Sequence, residues 1–140
     1  MSTRSSRPQP VDVFVASNLH ADILSDLTAA LTGGLGLAPS SNLSADPATP
    51  SMFEPIHGSA PDHADHDAAN PISSMLSGAM LLEHCGEGVA ASQLRDAADA
   101  VCGAGVLTPD VGGLSTTREV TPALDDDVPA GRHVGSRAAQ

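Results

Sequence analysis

The sequence predicts an α/β fold built on one side of a sandwich. Two short strand-like runs (Val11–Ala16 and Ser51–Ile56) alternate with several stretches of helical apolar spacing, and glycine- and proline-rich breaks separate them. At 140 residues the chain suits one domain or one lobe of a larger one.

Residues 1–10 (MSTRSSRPQP) have no hydrophobic period and read as disordered. Val11–Ala16 (VDVFVA) is a β-branched run of the kind found in buried strands. Asn18 then offers a cap for a helix from about Ala21 to Leu31, with Ile23, Leu24, Leu27 and Leu31 on one face. Gly33, Gly34 and Gly36 end it, and 39–50 (PSSNLSADPATP) reads as loop. Ser51–Ile56 (SMFEPI) is a short strand interrupted by Pro55, and 57–69 is a polar loop.

Asn70 followed by Pro71 is a helix start, an Asn that can cap and then a residue needing no N–H partner. That helix is expected over 71–84, and a second over 90–102. Thr116 and Glu119 have capping-box spacing for a last short helix, which Pro122 should kink or end early. From Asp125 to Gln140 nothing suggests a packed element, so 125–140 is expected to be a disordered tail. The segment that carries the motifs described below occupies 11–124.

Charge narrows the function. Six Arg, no Lys and 17 acidic residues give a net charge of −11, which repels nucleic acid and anionic membrane surfaces. No run approaches the roughly 20 apolar residues of a membrane span, and Met1–Pro10 lacks a secretory signal's apolar core. A cytoplasmic location is the expectation, with Cys85 and Cys102 as buried or half-buried thiols. With no Tyr, no Trp and two Phe, the core should be modest and its stability marginal.

Three constellations could carry chemistry. Asp22 and Asp26, four apart on a helix, share a face: they are either a solvated surface pair or two ligands for one divalent cation. The turn His57-Gly58-Ser59-Ala60-Pro61-Asp62 is either an ordinary surface turn or a ligand loop. In the second case Gly58 admits close backbone approach and Asp62 accepts hydrogen bonds from a ribose diol. The run Asp62, His63, Asp65, His66, Asp67 reads as a solvated loop, with a transition-metal site as the lesser alternative. Gly33, Gly34 and Gly36 resemble a phosphate loop only loosely, without GxGxxG or a lysine.

The order of these pieces is more specific than any one of them. NLHADILSD (18–26), GGLGLAPSSN (33–42), SMFEPIHGSAPD (51–62) and ANPI (69–72) are followed by MLLEHCGEG (80–88), GVLTPDVGG (105–113) and STTREV (115–120). Together they resemble the isocitrate/isopropylmalate dehydrogenase family of β-decarboxylating dehydrogenases, with spelling nearest to its tartrate and D-malate members. The resemblance implies a partial isopropylmalate-dehydrogenase-like α/β sandwich, truncated on the N-terminal side. It implies NAD-dependent oxidative decarboxylation of a small 2-hydroxy acid (tartrate, D-malate or 3-isopropylmalate type), in enzymes that are homodimers.

By resemblance, Asp22 and Asp26 match two aspartates that hold Mg2+ or Mn2+. The stretch Gly58–Asn70 matches the cofactor loop, with His57 and Asn70 at the adenosine and Asp62 at its ribose hydroxyls; an acid there suits NAD. The family usually has an Ile-Ala-Gly-Lys-Gly-like run where this chain has His63-Ala64-Asp65-His66-Asp67. The family's substrate arginines, catalytic tyrosine, catalytic lysine and third metal aspartate lie upstream of the matched region. The chain is therefore expected to be an incomplete fragment, inactive alone. The competing expectations are a non-catalytic remnant that associates with a full-length relative, and a dedicated metal-binding protein.

Overall fold

The computed structural model describes residues 13–129. The elements run α1 (Asn18–Thr32), a 3-10 turn (Leu35–Leu37), β1 (Pro39–Asn42), β2 (Met52–Pro55) and a 3-10 turn (Pro61–His63). They continue with α2 (Ile72–His84), α3 (Gly88–Gly103), a 3-10 turn (Pro109–Val111) and α4 (Thr117–Asp127). None of these helices is long and apolar enough to cross a membrane.

The sheet is a two-stranded antiparallel ribbon with Pro39 opposite Pro55, Ser40 opposite Glu54, Ser41 opposite Phe53 and Asn42 opposite Met52. Beyond the ladder, the Ile56 N–H donates to the Ala38 carbonyl at 3.1 Å. The Ser73 hydroxyl donates to the same carbonyl at 2.6 Å, which pins α2 to the ribbon. Phe53 meets the His84 ring at 5.5 Å between centroids, tying β2 to the other end of α2. Behind α2 lie α3 and then α4.

Ile72, Ala98, Val101, Val120 and Leu124 form one buried cluster, flanked by Leu37, Met75, Leu76 and Leu107. Among the described residues, five of the nine buried apolar ones (Ala29, Ala79, Ala91, Ala97, Ala98) are alanines, so the helices come close but bury little area per residue. That agrees with the modest core expected from a chain almost free of aromatics.

α2 begins as its sequence implies: the Asn70 side-chain oxygen accepts the Ile72 N–H at 3.0 Å. α3 starts at Gly88, two residues before its expected start. Thr116 and Glu119 form a complete capping box, with the Glu119 carboxylate accepting the Thr116 N–H at 2.8 Å. Pro122 does not end α4. The residue is exposed, so solvent can serve the Arg118 carbonyl that its missing N–H would have paired, while Val120 and Leu124 anchor the helix from inside. The helix therefore continues through Asp125–Asp127, which were expected to lie in the tail.

Four further expectations need correction. Residues 13–16 form no strand: Val13, Phe14 and Val15 are 77, 68 and 92% exposed, and no ladder partner reaches them among the described residues. Residues 1–10, Val11 and Asp12, and 130–140, for which disorder or a strand was expected, lie outside the described residues. α1 starts at Asn18, with Ser17 rather than Asn18 in the capping position. Pro39–Asn42, read as loop, is β1, a strand set by pairing rather than by propensity. Cys85 is exposed, because it follows α2 on the side away from the core, whereas Cys102 is half-buried.

The capping box has a pH signature. The Thr116 backbone N–H and then its hydroxyl, both donating to Glu119, hold that carboxyl below the usual glutamate range. Its contribution is therefore complete above the unfolded glutamate value, about 4.3. It is lost as pH falls through the lower folded value. Glu119→Gln is expected to remove this acid-side loss, seen as a flatter pH dependence of amide exchange in the first turn of α4. Identical pH profiles for the two proteins would contradict it.

Candidate functional site

The loop 57–70 folds over the Leu35–Leu37 turn and meets Pro109 and Asp110, enclosing an open cleft of about 440 Å³. Of the residues proposed for a nucleotide, His57, Ala60 and Asn70 line this cleft, joined by His63 from the same loop. Gly58, Ser59, Pro61 and Asp62 belong to the turn above but not to the lining. Asp62 is exposed in the first turn of the short Pro61–His63 helix.

Three polar groups converge on the cleft. The His57 Nδ1 lies 3.0 Å from the Gly58 carbonyl, while its Nε2 is buried and has no hydrogen-bond partner. Leaving a ring nitrogen buried and unpaired costs about 1–3 kcal/mol, a cost a ligand's polar atom would relieve. Asn70 is only 6% exposed, and its side-chain Nδ2 donates to Asp110 Oδ2 at 3.1 Å. The other oxygen of Asp110 accepts the Thr108 hydroxyl. A somewhat larger hollow of about 520 Å³ between α2, α3 and α4 is lined mainly by Met75, Leu94, Leu124 and Val128 and has no such convergence.

The Asp/His run gathers no metal-ligand cluster: no group of three or more His, Cys, Asp or Glu is placed to hold an ion among the described residues. Asp67 instead faces the start of α4. Its carbonyl accepts the Thr117 N–H at 3.0 Å and its carboxylate accepts the Arg118 N–H at 3.2 Å. The Arg118 guanidinium lies 3.6 Å away, a pair worth little because Arg118 is 88% exposed. The Thr117 hydroxyl donates to the Ala69 carbonyl at 2.6 Å. The loop is thus fastened to a helix N-terminus, where a carboxylate is favoured.

Asp65 and Asp67 have φ of +62° and +54°, and Ala60 has +40°. The backbone is left-handed at both aspartates, a conformation that glycine adopts most freely. Aspartate is among the few side chains that enter this region readily.

The second candidate pair sits apart from the cleft. Asp22 and Asp26 are exposed on α1, one turn apart, and no third ligand joins them among the described residues. Two exposed oxygen donors at this spacing suit two positions of a hard cation's shell, with the others taken by water or further groups. Of the same helix, Leu19, Ile23, Leu27 and Leu31 are 57–80% exposed and spaced four apart, so one continuous apolar stripe faces outward.

Sequence reasoning gives Pro109 and Asp110 no part in this cleft, and reads Gly36 only as a helix-ending glycine with a loose likeness to a phosphate loop. The segment 105–113 carries one of the motifs, but local spacing gives none of its residues a role. The Asn70–Asp110 contact spans 40 residues, beyond the reach of any local spacing rule.

Comparison with known proteins places this arrangement. The profile of the isocitrate/isopropylmalate dehydrogenase family matches residues 5–124, and the chain belongs to that family. A probable tartrate dehydrogenase/decarboxylase of Agrobacterium vitis is 50% identical over 133 residues, covering 95% of this chain and 36% of the relative. The isocitrate/homoisocitrate dehydrogenase of Thermus thermophilus is 51% identical over 118 residues, 84% of this chain and 34% of that one.

Among solved structures, isocitrate dehydrogenase from Methylococcus capsulatus superposes with a TM-score of 0.70 at 42% identity, over 79% of this chain and 33% of its own. The apo β-decarboxylating dehydrogenase of Thermococcus kodakarensis gives 0.69 at 43% identity, over 79% and 32%. The fold is that of part of an isopropylmalate-dehydrogenase-like α/β structure, and the chain spans about a third of the length of these relatives.

Proposed function

We propose that this chain is the C-terminal portion of an NAD-dependent, metal-assisted β-decarboxylating dehydrogenase acting on a 2-hydroxy acid of the tartrate, D-malate or 3-isopropylmalate type. We further propose that the 140-residue chain does not turn over substrate alone. The observation that carries the cofactor half is the cleft with its buried, unpartnered His57 Nε2 beside the Asn70 amide. These groups suit the adenosine end of NAD, with Asp62 at the mouth for the ribose hydroxyls. Asp22 and Asp26 would supply two oxygens to Mg2+ or Mn2+. Such an ion would supply Lewis-acid stabilisation of negative charge on the substrate's oxygens.

Hydride transfer also needs a base for the hydroxyl proton and an acid for the enol. The family gives those tasks to a tyrosine and a lysine, and this chain contains neither residue type. The outward apolar stripe of α1 supports the same reading, since it leaves four large side chains to be covered by further protein.

The test is a paired assay. The chain with NAD, Mn2+ and D-malate, tartrate or 3-isopropylmalate should make no NADH above background. Mixing it with the complementary two thirds of the A. vitis relative should restore turnover on one of the three acids. Turnover by the chain alone would refute the incompleteness. A stable mixed complex with no turnover on any of the acids would favour a non-catalytic remnant.

A further inference from the structure

Within the cleft, one side chain has its direction set by two partners of opposite character. The Asn70 oxygen accepts the Ile72 N–H at 3.0 Å, and its nitrogen donates to Asp110 Oδ2 at 3.1 Å. A backbone N–H can only donate and a carboxylate can only accept, so both demand the same orientation of the amide. Asp110 is itself held by the Thr108 hydroxyl on its other oxygen, and Thr108 is fully buried.

Gly36 closes the arrangement from the third side. A β-carbon there would stand 1.8 Å from Asp110 Oδ2 and 3.0 Å from Asn70 Nδ2. The absence of a side chain at 36 is what lets the carboxylate reach the amide.

We propose that Asp110 is a positioning residue for nucleotide binding. It locks the Asn70 amide so that one N–H remains uncommitted at the cleft, as a donor to an acceptor atom of the bound base. This rests on the reading of the cleft as the adenosine site. Asp110 acts through Asn70, and Gly36 and Thr108 act through Asp110. Without Asp110 a single hydrogen bond from the Ile72 N–H holds the planar amide, so the group rocks as a unit, and the ligand must bear the cost of ordering it.

The test uses the whole chain, AMP as the probe, and two readouts. One is AMP affinity by calorimetry; the other is the pair of Asn70 side-chain amide proton resonances. Asp110→Ala should weaken AMP about 10-fold, the effect of one lost charge-assisted hydrogen bond. It should also move the carboxylate-bonded amide proton of Asn70 upfield. Asp110→Asn, which can still offer a carbonyl oxygen, should recover most of the affinity.

Gly36→Ala displaces the same carboxylate, so the double variant with Asp110→Ala should be no worse than the weaker single variant. Additive losses would overturn the shared route. An Asn70 amide spectrum unchanged by Asp110→Ala overturns the proposal whether or not AMP binds. If the spectrum changes as expected but the native chain has no affinity for AMP, the adenosine reading of the cleft fails, and the donor role of Asn70 fails with it.

Discussion

In the mixed complex of this chain with the complementary two thirds of the A. vitis relative, Asp26→Asn is expected to lower turnover by about 100-fold or more while leaving the NAD requirement nearly unchanged. Losing a partner that only orients a metal ligand costs roughly 10–100-fold. Losing one of the ligands should cost at least as much, because one fixed negative oxygen is removed from a hard cation. Asp62→Ala should do the reverse: about a 10-fold rise in the NAD concentration needed, from one lost hydrogen bond to a charged group, with saturated turnover preserved. The separation follows from placement, since Asp26 lies on α1 and Asp62 on the 57–70 loop. Steady-state kinetics against NAD at saturating Mn2+, then against Mn2+ at saturating NAD, resolves the two. If both substitutions move both parameters alike, the division of labour between helix and loop is wrong.

Gly113→Ala should destabilise the chain by about 3 kcal/mol, the upper end of ordinary overpacking. A β-carbon at 113 would lie 1.9 Å from the Leu107 carbonyl oxygen and 2.3 Å from its carbon. Those are backbone atoms, which cannot rotate aside as a flexible side-chain tip does. The same carbonyl accepts the Ser115 N–H at 2.8 Å, and the Gly113 N–H donates to the Thr108 carbonyl at 3.0 Å. The collision therefore opens the loop that carries Asp110.

The neighbouring Gly112 is the control. Its φ is +84° but open space surrounds it, so Gly112→Ala incurs only the left-handed penalty of about 1–2 kcal/mol. Urea midpoints of the two variants should differ in that order. Equal midpoints would mean that the 107–115 turn relaxes freely.

What could be read from the sequence follows the range of the forces involved. α2 and α4 were legible because their start signals are local: Asn70 with Pro71, and Thr116 with Glu119, each act within three residues. β1 was not, because PSSN has no strand preference of its own and becomes a strand only through pairing with 52–55. The run 13–16 failed in the opposite way: its apolar, β-branched residues speak for burial, and the described structure offers nothing to bury them against. Of the candidate nucleotide residues that an ordered motif singles out, His57 and Asn70 line the cleft. Asp110 and Gly36 are not singled out for it, since their part depends on a contact across 40 residues and on a missing side chain. The Asp/His spelling of the 57–70 loop is plain in the sequence, but the left-handed backbone at Asp65 and Asp67 is not.

The lightly held α1 bears on how the two candidate sites would communicate. Its main packed neighbour is the Leu35–Leu37 turn, which in turn touches α2 and the Pro109–Val111 turn. Leu35 and Gly36 of that same turn line the cleft. Among the described residues this three-residue bend is the chief mechanical link between a cation on Asp22 and Asp26 and a nucleotide beside Asn70. Any cooperativity between the two ligands within this chain would run mainly through that bend, which joins α1 across Gly33 and Gly34.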